Sequence, residues 1–151
     1  MNGRPVRVLA VASSGGHWDQ LMRVGGAWRG AEVSYAVTMA GLAERAGLRA
    51  DVIPDFSART PLRLIAGLAP LWRLVWRVRP EVAISTGAAP GLIALIFARL
   101  LGARTIWIDS IANVETLSLS GRLAGLFADV HLTQWESLAR PGGPHYWGAV
   151  L

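Results

Sequence analysis

At 151 residues without a cysteine, the chain is sized for one domain with a substantial core, and it excludes a disulfide framework, a thiol nucleophile and a thiolate metal site. Its 15 basic residues, all arginine, stand against ten acids, a net charge of +5 that favours an anionic partner: nucleic acid, acidic lipid or a phosphorylated substrate. Hydrophobic residues make up 52% and seven are tryptophan, yet the longest uncharged run, Val82 to Ala98, is interrupted by Gly87, Pro90 and Gly91 and falls short of the ~20 apolar residues of a membrane span.

The opening "MNGRPVRV" passes straight into strand-like sequence, and no signal peptide is expected. In chain order, strands are predicted at Val6–Ala12, Glu32–Thr38, Ala50–Pro54, Glu81–Thr86, Arg104–Asp109 and Asp129–Gln134. Between them, segments of helical length and pattern run over Asp19–Ala27, Gly41–Gly47, Thr60–Arg79, Gly91–Leu101 and Ser118–Ala128. Thr60 suits an N-cap with Pro61 at the first helical position, and Pro70 should kink the helix that follows. Strands alternating with helices imply parallel pairing through right-handed crossovers, hence an α/β, Rossmann-like doubly wound sheet in a single domain, 1–151.

In such a sheet ligands bind beyond the carboxyl ends of the strands. With strand order 3-2-1-4-5, "SSGGHW", "TGAAPG" and "DSIANVETLSLSG", which follow the first, fourth and fifth strands, line one cleft. In the first loop, Gly15 and Gly16 let the backbone turn sharply and approach a ligand, and the next helix aims its free N–H groups at an anion such as phosphate. The alternative is a tight strand-to-helix turn with no ligand. His17 is placed to act as a base or to bind an anion, unless it merely ends a helix. Thr86, Gly87, Pro90 and Gly91 let a ligand lie close to the fourth strand or serve helix packing. Asp109 can accept a proton, hold a sugar hydroxyl or cap a loop N–H. Neither G-x-G-x-x-G nor G-x-x-x-x-G-K-[ST] occurs, His131 and His145 acquire no role, and no metal-ligand spacing is present.

The blocks "SSGGHWDQL", "AISTGAAPG", "WIDSIANVETLSLSGRLAGLFADVHLTQW" and "GAVL" resemble the membrane-associated, acceptor-side subunit of split GT-B glycosyltransferases, from the eukaryotic enzyme of dolichol-linked chitobiose synthesis to bacterial capsule and exopolysaccharide relatives. They are also similar to the N-terminal half of the peptidoglycan lipid-linked N-acetylglucosaminyltransferase. The resemblance implies the N-terminal half of a GT-B enzyme, one subunit of a heteromeric hexosyltransferase and inactive alone. The reaction this implies is transfer of a sugar from a UDP-sugar to a polyprenyl-diphosphate-linked saccharide. A separate C-terminal-type subunit is then expected to bind the donor, with no resident cofactor and no nucleic acid partner. By position, Ser14, Gly15, Gly16 and His17 would meet acceptor or donor phosphates, Thr86 to Gly91 would line the cleft, and Asp109 would activate the acceptor hydroxyl, with His17 and Asp109 as the catalytic pair.

The eukaryotic members carry an N-terminal membrane anchor that this sequence lacks, so peripheral attachment at the cytoplasmic face of the inner membrane is expected. Within "TPLRLIAGLAPLWRLVWRVRP", Arg63, Trp72, Arg73, Trp76 and Arg77 are the candidate membrane contacts: the two tryptophans and the last two of these arginines are each four apart, giving adjacent aromatic and cationic stripes. A crossover helix with its tryptophans in the core is the competing reading. Two further functions compete with the enzyme subunit: a non-catalytic module recruiting a complete enzyme to the membrane, for which His17 and Asp109 are dispensable, and a stand-alone nucleotide-binding domain.

Overall fold

Seven strands form one parallel sheet: β1 Arg7–Ala12, β2 Glu32–Val37, β3 Ala50–Val52, β4 Val82–Ser85, β5 Arg104–Ile108, β6 Val130–Thr133 and β7 His145–Tyr146. Their order is β3-β2-β1-β4-β5-β6-β7, so the chain starts in the middle and winds outward, first one way and then the other. The computed structural model describes residues 3–150; Met1, Asn2 and Leu151, which belong to the one-domain reading and to the "GAVL" block, lie outside them. The six predicted strands are all present, shortened by one or two residues at their ends. The seventh, two residues behind a Gly-Gly-Pro turn, was not expected.

The alternation of side chains sorts β1 between two cores. Leu9 and Val11 face α2 Pro61–Val78, α3 Ala89–Leu100 and α4 Leu119–Ala124, whereas Val8, Ala10 and Ala12 face α1 Gly16–Arg23. Leu71 and Val75 of α2, Leu95 of α3 and the completely buried Trp107 of β5 fill the first core; each such burial stabilises by about 1.5–3 kcal/mol. Trp18 and Leu21 of α1 fill the second, where Trp18 meets Tyr35 edge-on.

Helix bounds differ from the expectation in ways that matter for the site. The first helix starts at Gly16, not Asp19, which puts His17 in its first turn, and it ends at Arg23 before a separate 3-10 turn, Gly25–Trp28. The predicted helix Gly41–Gly47 is only a 3-10 turn over Glu44–Ala46, because both flanking glycines adopt positive φ. Thr60 does precede α2 with Pro61 at its start, but its hydroxyl bonds back to Ser57 and caps no helical N–H. Pro70 lies inside the continuous helix α2; it and Ala66, whose carbonyl loses the N–H that residue 70 would otherwise donate, are both on the exposed face, where water can serve that carbonyl.

Candidate functional site

Three loops at the carboxyl ends of β1, β4 and β5 are joined by direct hydrogen bonds. Gly15 turns the first with φ 67°, and the exposed Ser14, Gly15 and Gly16 lead into α1. His17 then reaches the β4 loop: its Nδ1 lies 2.8 Å from the Thr86 carbonyl, and the Thr86 hydroxyl donates to the His17 carbonyl at 2.6 Å. A carbonyl can only accept, so Nδ1 carries a proton, and in the neutral imidazole Nε2 is left with the lone pair a general base requires.

Glycine at 87 makes this joint possible. A Cβ there would overlap the His17 ring, and the residue sits at φ 141°. Ala88 follows at φ 68°, a strained conformation for a residue with a side chain, and delivers the chain into α3 at Ala89 and Pro90. Gly91 abuts Ser85, whose hydroxyl is tied to both the N–H and the carbonyl of Gly87. Thr86, Gly87, Pro90 and Gly91 are all buried, so these four shape the loop from beneath, whereas the first loop offers open backbone.

Asp109 occupies a different environment from the one its position at a strand end suggests. It is 1% exposed, and its carboxylate accepts from the Trp107 indole N–H (3.2 Å), the Asn113 amide (3.0 Å), the Ser118 N–H (3.1 Å) and the Ser118 hydroxyl (2.7 Å). The Ser118 Oγ in turn caps α4 by accepting from the Gly121 N–H. Gly121 lies so close that any side chain there would strike the carboxylate. Asp109 therefore folds the loop between β5 and α4 around itself, the N–H-holding role that the sequence left open.

The side chains that connect this loop to α1 were missed by sequence reasoning. Gln20, one turn past Gly16, donates to the Gly16 carbonyl and to Ser110 and accepts from the Ile111 N–H; Gln134, just after β6, donates to Gln20 and to the Asp109 carbonyl. Trp135 donates to the Ile111 carbonyl at 2.8 Å. The one available signal was polarity: Gln20 interrupts the buried stripe of α1, and both glutamines are buried.

His131, on β6 beneath Gly125, has a buried Nε2 without a hydrogen-bond partner among the described residues. Burial pushes its pKa below the ordinary imidazole value of 6.5; His145 acts in the same direction, while the nearby Asp109 and the Gly121 backbone oppose the shift. Among the described residues, no three His, Cys, Asp or Glu side chains are grouped as a metal site needs.

The predicted membrane contacts all lie on α2, Arg63 in its first turn and Trp72, Arg73, Trp76 and Arg77 in its second half. Trp72 is half-buried and packs edge-on against Phe97 of α3, Trp76 is 50% exposed and carries the Arg79 guanidinium over its ring at 3.5 Å, and Arg77 pairs with Asp51 at 2.7 Å. Arg63 and Arg73 are exposed without an ion pair among the described residues. The most exposed apolar side chains of α2 stand at its other end, nearer the glycine loop's edge of the sheet: Leu62 at 81% and Ile65 at 65%. Among the described residues no helix is long and apolar enough to cross a membrane.

Residues 49–150 match the family described as "Oligosaccharide biosynthesis protein Alg14 like". The chain is 30% identical to the UDP-N-acetylglucosamine transferase subunit ALG14 of Eremothecium gossypii, over 99% of its own length and 81% of the relative's. To the subunit of that name from Homo sapiens it is 24% identical, over 87% and 76%. Among solved structures it is similar in fold to MurG of Acinetobacter baumannii, with a TM-score of 0.75 at 16% identity, over 93% of this chain but only 47% of that one. The domain thus has the architecture of about half of a GT-B-type chain.

Proposed function

The chain belongs to the Alg14-like oligosaccharide biosynthesis family, and from that premise we propose that it is the acceptor-side subunit of a two-chain glycosyltransferase acting in polysaccharide biosynthesis. The reaction is an inverting transfer from a UDP-sugar to a polyprenyl-diphosphate-linked saccharide. The names of the relatives point to UDP-N-acetylglucosamine as donor. The donor site belongs to a partner subunit that supplies the other half of the cleft, and the reaction draws on no resident cofactor.

The observation that carries this reading is the His17–Thr86–Gly87 joint: a histidine in the first turn of a helix, behind an exposed glycine loop, held in one tautomer by a carbonyl of the neighbouring loop. His17 Nε2 takes the proton from the acceptor hydroxyl as its oxygen attacks the anomeric carbon and the bond to UDP breaks. The N–H groups of Gly15, Gly16 and His17, at the positive end of α1, face the acceptor diphosphate. With its oxygens already committed to four donors, Asp109 serves by ordering the loop and leaves the proton to His17.

A lipid-linked acceptor keeps its tail in the bilayer, so the cleft must be held near the headgroups. We assign that task to the exposed face of α2, as a peripheral attachment at the cytoplasmic face of the inner membrane: Leu62 and Ile65 enter the interface, and Arg63, Arg73 and Trp76 meet the headgroups. Each arginine near an anionic surface contributes about 1 kcal/mol, less for Arg77, which already has Asp51. Two measurements on the purified chain test the reading. Calorimetry should find weak or no binding of UDP-N-acetylglucosamine, and tight binding would contradict a donor site on the partner. Sedimentation with anionic liposomes should weaken with salt and on changing Leu62 and Ile65 to Asp; unchanged sedimentation would remove α2 from the interface.

A further inference from the structure

We propose that Gln20 and Gln134 form a directional clamp that makes the order of the β5–α4 loop depend on the seating of residues 147–150, which makes both of them positioning residues for the acceptor site. The consequence for catalysis rests on the acceptor-side reading above; the coupling itself does not.

Backbone groups fix the direction. The Val150 N–H can only donate, and it reaches Gln134 Oε1 at 2.9 Å; the Asp109 carbonyl can only accept, and it takes a bond from Gln134 Nε2 at 3.0 Å. The Gln134 amide therefore cannot be turned over without placing donor against donor at one end and acceptor against acceptor at the other. Its Nε2 also donates to Gln20 Oε1, and that oxygen accepts from the Ile111 N–H at 3.0 Å. Gln20 is fixed in the same way, since its Nε2 donates to the Gly16 carbonyl at 3.0 Å. A single chain of carboxamides thus runs from Val150 through Gln134 and Gln20 to both the β5–α4 loop and the helix that carries His17.

Burial makes this chain stiff. Gln20 and Gln134 are buried, so a carboxamide that loses one partner cannot turn to water; it must leave a polar group unpaired or drag its other partners with it. The Val150 end is the less buried one: Val150 is half-buried, Trp147, three residues before it, is 72% exposed, and residues 147–150 line one cavity with Ile108, Leu132 and Gln134. Whatever displaces this segment withdraws the Val150 N–H from Gln134, and the disturbance reaches Ile111 through two side chains.

Amide hydrogen exchange on the whole chain tests the coupling. Val150→Pro removes the donor at one end, and the Ile111 amide should then exchange about fivefold faster or more, with β1 and β4 unchanged; Val150→Ala, which keeps the N–H, should leave Ile111 protected. Gln134→Glu keeps an acceptor for Val150 but cannot donate when ionised, so Ile111 should lose protection while Val150 retains it. Gln134→Met should release both. Unaltered Ile111 exchange in Val150→Pro, or acceleration spread evenly over the sheet in Val150→Pro and both Gln134 variants, would overturn the clamp. In the two-chain transferase, Gln134→Met should raise the KM for the lipid-linked acceptor and leave that for the UDP-sugar unchanged; unchanged acceptor KM with the exchange coupling intact would overturn the positioning role alone.

Discussion

The two edges of the sheet handle their polar groups in opposite ways. Along the edge where the strands begin, charge meets charge in partial exposure: Glu81 accepts from Arg4 at 3.2 Å and from the Arg7 N–H, and Asp129 pairs with Arg99 at 2.8 Å while holding the Thr105 N–H. Along the edge where the strands end, the groups are mostly neutral and each pair has at least one buried member, joined as His17 to Thr86, Asp109 to Ser118 and Gln20 to Gln134. Exposed pairs exchange readily with water and are worth little each, whereas a buried network holds only if every member is satisfied. One edge keeps the fold's rim soluble; the other sets three loops relative to one another, which is what a site requires.

The deepest break in that contrast is at Asp109. Asp109→Ala leaves the donors of Trp107, Asn113 and Ser118 in the interior without an acceptor, and it should lower the unfolding free energy by about 3 kcal/mol or more, read from denaturant midpoints. Next comes Gly87→Ala, which sets a methyl group into the His17 ring and a side chain at positive φ; a loss of about 1–3 kcal/mol is expected, together with displacement of the His17 imidazole signals in NMR spectra.

A smaller, pH-dependent effect comes from His131. Its folded pKa lies below 6.5, so between that value and the folded pKa the unfolded chain binds the proton first. Stability should therefore be unaffected by this group at higher pH and fall as the pH drops through the window, by at most about 1.4 kcal/mol per pH unit. Melting curves of His131→Asn should be flatter over that range than those of the parent. The smallest change belongs to the opposite edge: Arg4→Ala should cost well under about 1 kcal/mol and become silent at high salt, and a loss as large as that of Asp109→Ala would erase the difference between the two edges.

The fold was largely legible because parallel strands buried on both faces read as short apolar runs bounded by turn residues, as in "VRVLAVA" and "EVAIST". The strand β7 was not, since two residues carry no periodicity, and the segment Gly41–Gly47 was overread because its composition suits a helix while its terminal glycines leave room for only one turn. At the candidate site, the glycine loop and His17 stood out by residue type alone. The role of Asp109 did not, because a carboxylate behind a strand looks the same in sequence whether it faces a ligand or is enclosed by Ser118 and Asn113, and the Gln20–Gln134 contact spans 114 positions that no local pattern connects.

In the proposed function this chain supplies the acceptor half of a shared active site, with His17 as the base. Its most direct test is transfer from UDP-N-acetylglucosamine to a polyprenyl-diphosphate-linked saccharide, measured for the chain alone, for the chain co-expressed with a donor-binding partner subunit, and for the same complex carrying His17→Ala. Product is expected only from the complex, with a fall of ~10²-fold or more in kcat on His17→Ala and the two chains still co-purifying. Transfer by the isolated chain, or undiminished turnover by the His17→Ala complex, would contradict it.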